Sequence, residues 1–193
     1  MPVADNGSMR SRNKILDAVR DVIARSGFSG VTIASVAQTA GVTRQTVYSI
    51  FGTREDLVSQ AVAEHLTEIV DGVHERLRTA PTPADYVVDL IVACRTIVRS
   101  DPVLAALLRT DGDNPLFDAG ALDRARAVGL RLLSPLQELF PETALRLDDI
   151  VDISVHLGWS AVCFDDPSVR TDEDLRRFLG RWLAPAFAAS VEE

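Results

Sequence analysis

Residues 32–51, TIASVAQTAGVTRQTVYSIF, place two helix-length segments on either side of a single glycine, and this spacing limits the fold more than any other tract. Val36, Ala37, Gly41, Val42, Val47 and Ile50 recur as they must when two short helices cross closely through a tight turn. Ala37 is small at the crossing, and Val42 with Val47 fills the angle between the helices. Gly41 supplies a left-handed backbone conformation that a β-carbon penalises. Taking Val47 as the inward reference at about 100° per residue, Thr43, Ile50 and Phe51 also fall inward. Gln45 and Ser49 then point out, flanked by Thr46 and Tyr48. Arg44 sits at the boundary, in the first turn and long enough to swing outward.

The same three- and four-residue period runs through the rest of the chain. Ile15, Leu16, Val19, Val22 and Ile23 make an amphipathic helix from Ser11 to the tract SGFSG, where Gly27 can take positive φ; residues 1–9 read as a loose tail. Thr32 and Thr43 cap the two short helices, and Thr53 with Asp56 resembles a capping box opening a long fourth helix. Its apolar stripe runs from Leu57 to Leu77, up to APTP, and the helix joins two domains. The tract PADYVVDLIVACRTIVRS is apolar on more than one side and reads as a central, buried helix. Asp101 and Pro102 open another helix, and DGDNP is a turn cluster. A helical region from Asp118 through Phe140 bends near Pro135. The last two helices span roughly Asp148–Phe164 and Asp172–Ser190, the second opened by Thr171 and Asp174 and interrupted or kinked at Pro185. With no alternating run, the fold class is all-α: an N-terminal three-helix domain, 10–54, and a larger helical domain, 55–193.

Charge narrows the function classes. Through Gln60 there are seven basic and five acidic residues, and beyond it thirteen and twenty-three, so the two parts carry +2 and −10. That balance argues against sequence-independent binding to polyanions, yet screening over ~10 Å lets a basic tip act locally. No apolar run reaches the ~18 residues of a membrane span and no leader-like segment begins the chain, so a cytoplasmic location without membrane contact is expected. Cys94 and Cys163 are isolated within apolar helical patterns and read as reduced, buried thiols.

The outward side of the helix after Gly41 offers donors and acceptors suited to base edges and phosphates, and the helix N-termini at Thr32, Thr43 and Thr53 add backbone amides. The stretch TIASVAQTAGVTRQTVYSIFGTREDL, preceded by ILDAVRDVIARSGFSGV, resembles the DNA-binding domain of the TetR family of bacterial repressors over about the first third of the chain. The resemblance implies phosphate contacts from Thr46, Tyr48 and Arg54, and base contacts from Arg44, Gln45 and Ser49. The chain departs from the family at Arg54, where lysine is more usual, and at Ile50, where an aromatic or histidine is frequent. Arg10, Arg12 and Lys14 read either as a further arm toward the DNA backbone or minor groove, or as a solvated tail.

For the larger domain the resemblance implies an effector pocket and a homodimer interface made by the last two helices. Candidate effector residues are His65, Ile69, Tyr86, Leu90, Cys94, Phe117, His156 and Trp159; candidate dimer residues are Ile153, Leu157, Phe164, Leu175, Leu179 and Trp182. His65 reads equally as a pocket residue facing Tyr86, Leu90 or Cys94 and as a satisfied core histidine. Asp152, His156, Trp159 and Cys163 share one helical side, either as a polar ligand patch or as an Asp/His pair at the edge of a dimer seam. Glu64, His65 and Glu68 lack further metal partners, DGDN lacks the remaining calcium ligands, and no catalytic signature is present. The expectation is therefore a ligand-responsive regulator, a repressor, that needs no cofactor or metal and is not an enzyme. It would bind a palindromic double-stranded DNA operator as a homodimer and leave it when a small-molecule effector binds. The rival readings are a helical small-molecule enzyme and a protein-interaction module lacking operator binding.

Overall fold

A computed structural model describes residues 5–107, 121–164 and 166–188, and among them it contains α-helices and short 3₁₀ turns without a strand. The fold is all-α. In order the helices are α1 Asp5–Ser26, α2 Ile33–Ala40, α3 Arg44–Phe51, α4 Arg54–Leu77, α5 Pro83–Ser100, α6 Pro102–Leu107, α7 Ala121–Leu133, α8 Leu136–Leu139, α9 Leu147–Cys163 and α10 Asp172–Ala188. The chain divides into two compact units, 1–68 and 69–193, and α4 contributes residues to each.

In the first unit, α1 lies against α2, and α2 against α3. Ile15, Leu16, Val19, Ile23, Val31, Val36, Val47 and Leu57 are fully enclosed there. Each such side chain contributes about 1.5–3 kcal/mol through removal from water. α1 begins at Asp5, earlier than the Ser11 start expected from periodicity. Nothing between them breaks a helix strongly, and an acidic residue in the first turn suits the positive end of the helix dipole. Gly27 takes φ 69°, as its position suggested, and leads into a 3₁₀ turn, Phe28–Gly30, that periodicity cannot show.

The second unit is built around α5, which packs against α9 and α10, while α7 packs on α9. Tyr86, Val87, Ile91, Leu133, Leu136, Val151, Leu175 and Leu179 form its core. The helix starts follow their caps. The Thr82 hydroxyl accepts from the Asp85 amide at 3.1 Å, and Asp101 Oδ1 accepts from the amides of Val103 and Leu104, both at 2.9 Å. At α10 the box is reciprocal, with the Asp174 amide donating to Thr171 Oγ1 at 3.1 Å and the Thr171 amide donating to Asp174 Oδ2 at 3.0 Å. Pro135 separates α7 from α8, whereas α10 continues through Pro185. A second 3₁₀ turn, Pro141–Arg146, leads into α9. No helix among the described residues is long and apolar enough to cross a membrane.

Candidate nucleic-acid interface

Gly41 adopts φ 62° and ψ 40°, and its amide with that of Val42 closes α2 by donating to the carbonyls of Gln38 and Ala37 at 3.2 and 3.0 Å. This left-handed turn is inexpensive for glycine alone. Two residues later Thr43 is extended, and its hydroxyl accepts from the Thr46 amide at 3.1 Å to start α3. Val36, Ala37, Val47 and Phe51 are buried at the crossing, and Ile50 is half-buried. Thr43, placed inward by helical phase, is exposed instead. It is the cap, outside the helical dihedrals, so the 100° phase does not apply to it.

The opposite side of α3 is open. Arg44, Gln45 and Ser49 are exposed and Tyr48 is 56% exposed; none forms a side-chain hydrogen bond or ion pair with the described residues. Thr46 is half-buried, its hydroxyl 2.9 Å from that of Thr43. Thr32 is exposed but engaged in a capping box with Ser35, whose hydroxyl also donates to the Gly30 carbonyl at 2.9 Å. Thr53 caps α4 by accepting from the Asp56 amide at 3.0 Å.

Two basic side chains expected at the interface are held inside the unit. Arg54 donates from Nε to the Val31 carbonyl at 2.5 Å and from Nη2 to the Phe28 carbonyl at 2.7 Å. Arg12 donates to Gln60 Oε1 at 3.2 Å and Glu64 Oε1 at 3.4 Å, and its guanidinium carbon sits 5.8 Å from the Phe51 ring centre. Neither destination carries a sequence signal, because backbone carbonyls and helix neighbours 48 to 52 residues away are supplied by the fold.

In the second unit the candidate effector residues do not converge on one open pocket. Tyr86 is fully buried, donates its hydroxyl to the Leu132 carbonyl at 2.9 Å, and has its phenol pushed up to about 12 by burial. Leu90 is core, and Ile69 and Cys94 pack against that core. Burial pushes the Cys94 thiol up to about 11. Phe117 lies outside the described residues. His65 belongs to the first unit, half-buried, with Nδ1 3.9 Å from Glu68 Oε2. His156 is exposed and donates from Nδ1 to the Asp152 carbonyl at 2.7 Å; Trp159 is half-buried. The expected Asp/His pair does not form through the Asp152 carboxylate, which accepts from Arg126 Nε at 2.7 Å. A cavity of about 280 Å³ beside the start of α5 is lined instead by Ala84, Thr143, Arg146, Ile150 and Phe187, among others, and periodicity gave no sign of it.

The candidate dimer residues also separate. Ile153, Phe164 and Trp182 are exposed, the last two at 67% and 70%, together with Phe178; Leu157 is half-buried. Leu175 and Leu179 belong to the core of their own unit rather than to an outer seam. The stripe they share with Leu183 lies about 80° round α10 from Phe178 and Trp182, enough to turn one toward α5 and the other outward. Among the described residues no group of three or more histidine, cysteine or carboxylate side chains is placed to hold a metal ion.

Comparison with known proteins bears on the same region. Residues 15–61 match the family described as bacterial regulatory proteins, tetR family. The chain is 35% identical over 77 residues to the HTH-type transcriptional regulator AlkX of Mycobacterium tuberculosis, covering 40% of this chain and 36% of that protein. Matches to the curated relatives span between 36% and 50% of their lengths. Among solved structures, SCO7518 of Streptomyces coelicolor, assigned as a transcriptional regulator, superposes with a TM-score of 0.65 at 24% identity, over 90% of this chain and 98% of that one. The TetR family repressor AlkX of Dietzia superposes with a TM-score of 0.58 at 24% identity, over 92% and 97%. At these identities the structural likeness concerns the fold.

Proposed function

We propose that the chain, whose residues 15–61 match the family described as bacterial regulatory proteins, tetR family, is a repressor that binds a palindromic DNA operator as a homodimer and is released by a small-molecule effector. The observation that carries this reading is the face of α3: Arg44, Gln45, Tyr48 and Ser49 are exposed and unpartnered on a helix whose other side is anchored by Val47 and Phe51. A rigid helix with an unused polar side suits the major groove. Arg44, Gln45 and Ser49 are assigned to base edges, where each good bidentate pair discriminates by about 1–3 kcal/mol. Tyr48 and Thr46 are assigned to phosphates, which fix register without reading sequence, and the α2 and α3 N-termini at Thr32 and Thr43 direct amides the same way.

Exposed Ile153 on α9, Phe164 just after it, and Phe178 and Trp182 on α10 support pairing of two copies through the second unit. Two recognition helices then require half-sites about one helical turn, ~34 Å, or a multiple apart. The cavity of about 280 Å³ near the lower limit of small-molecule sites is a candidate for the effector. Release demands only that the effector bind the DNA-free arrangement more tightly. In vitro selection from a randomised duplex pool tests the reading. Enrichment of an inverted repeat is the expected result, and failure of the full chain to enrich any sequence rules it out.

A further inference from the structure

Of the seven basic side chains before residue 61, four have partners within the first unit. Arg54 and Arg12 are held as described above. Arg20 donates to Asp17 Oδ1 at 2.5 Å and to Glu68 Oε2 at 2.9 Å, and Arg25 donates to the Asp21 carbonyl at 3.2 Å. Arg10, Lys14 and Arg44 are exposed and make no hydrogen bond or ion pair with the described residues. Lys14 has a defined position among these three. A β-carbon on Gly41 would lie 3.6 Å from its Nζ, so α1 delivers an ammonium group to the turn joining α2 and α3. Arg10 sits one turn back on the same side of α1 and, with Asn13 and Lys14, borders an open surface hollow. The one carboxylate at its edge, Asp17, is engaged by Arg20.

We propose that Lys14, with Arg10 behind it, forms a phosphate-binding site on α1 flanking the recognition helix, and that Arg54 is a brace for the Phe28–Val31 connection and not a phosphate ligand. The proposal rests on the operator-binding reading. Lysine is a compact charge on a flexible stem, suited to following a phosphate, whereas the planar guanidinium of Arg54 serves two fixed carbonyls from two separate nitrogens, where an ammonium has only one. Neutralising a phosphate releases condensed counterions, so a true contact shows in the salt dependence of binding, and a brace shows in folding stability. The two roles therefore separate in different measurements.

The experiment uses the full chain with a duplex that the wild type selects from a random pool. Binding is measured across a salt series, and thermal midpoints are measured without DNA, for wild type, Lys14→Gln, Arg10→Gln, Arg54→Gln and Arg54→Lys. Lys14→Gln should lower the slope of log affinity against log salt by roughly 0.9 per protomer, with base preference and thermal midpoint unchanged. Both Arg54 variants should keep the slope and lower the midpoint by several degrees. An unchanged slope in Lys14→Gln overturns the α1 site, even if an Arg54 variant fails to fold. A reduced slope with an unchanged midpoint in Arg54→Gln overturns the brace. If the wild type selects no duplex, the operator reading fails, while the midpoints still decide the role of Arg54.

Discussion

At Gly30 an added β-carbon would stand 2.5 Å from Ser26 Cβ, an atom with no rotamer to escape through, so the backbone itself would have to move. The Gly30 carbonyl also accepts the Ser35 hydroxyl that helps to cap α2, so the strain would reach the helix-turn-helix. Gly30→Ala is expected to destabilise the protein by about 1–3 kcal/mol, read as a lower urea midpoint. At Gly41 nothing lies closer than 3.6 Å, and the cost of Gly41→Ala comes from φ alone, about 1–2 kcal/mol. Gly41→Asn should recover part of it, whereas Gly30→Asn should recover none. Gly41 was legible in the sequence because a lone glycine between two capped apolar patterns marks a turn. Gly30 was not, because what constrains it is the approach of Ser26 and no pattern records that approach. Arg54 was half legible: its charge is plain in the sequence, but its acceptors are carbonyls that every residue type offers.

Helix starts and contents followed local rules that a sequence displays, as Thr32, Thr43, Thr82 and Thr171 all cap where a hydroxyl precedes an apolar period. Which helix side meets which partner was less visible. α5 is apolar on several sides, so Tyr86 and Leu90 looked as fit to line a pocket as to fill a core. Packing between helices then decided the matter. α7 approaches α9 closely where Gly129 would place a β-carbon 3.0 Å from Val155 Cγ2 and 3.4 Å from Val151 Cγ1. One turn earlier Arg126 bridges Asp148 and Asp152, each at 2.7 Å. Gly129→Leu should push the helices apart and cost about 1–3 kcal/mol in a denaturant titration. The box opening α10 predicts a pH effect. Hydrogen bonds from the Thr171 hydroxyl and amide hold the Asp174 carboxyl below its usual range. The unfolded chain therefore binds this proton first, and the contribution is complete above the ordinary carboxylate range and lost as pH falls through the lowered folded value. Asp174→Ala should flatten the decline of the melting midpoint on the acid side, and an unaltered acid profile would remove the box from the list of causes.

For the molecule as a whole, charge and apolar surface divide the work. Residues 1–60 carry +2 and residues 61–193 carry −10, so only the N-terminal part attracts DNA, and its attraction is short-ranged in salt. With three unpartnered cations before residue 61, one copy has few phosphate contacts to offer, which favours the proposed reading of two copies on one duplex. On the proposed dimer reading the outward side of α10 is the pairing surface: Trp182 and Phe178 expose aromatic surface, and Phe164, which follows α9, is also exposed, whereas Leu175 and Leu179 belong to the core. Aromatic groups of this kind dominate the energy of protein interfaces. Trp182→Glu should therefore convert a dimer to a monomer in sedimentation at micromolar concentration, without lowering the helical content. Losing the second anchor removes the effective-concentration gain, on the order of 10²–10⁴, so affinity for the selected inverted repeat should drop by that factor while affinity for an isolated half-site is unchanged. A Trp182→Glu protein that sediments as the wild type does would move the pairing surface elsewhere, and equal losses on the repeat and the half-site would mean that the substitution acts on the fold instead of on pairing.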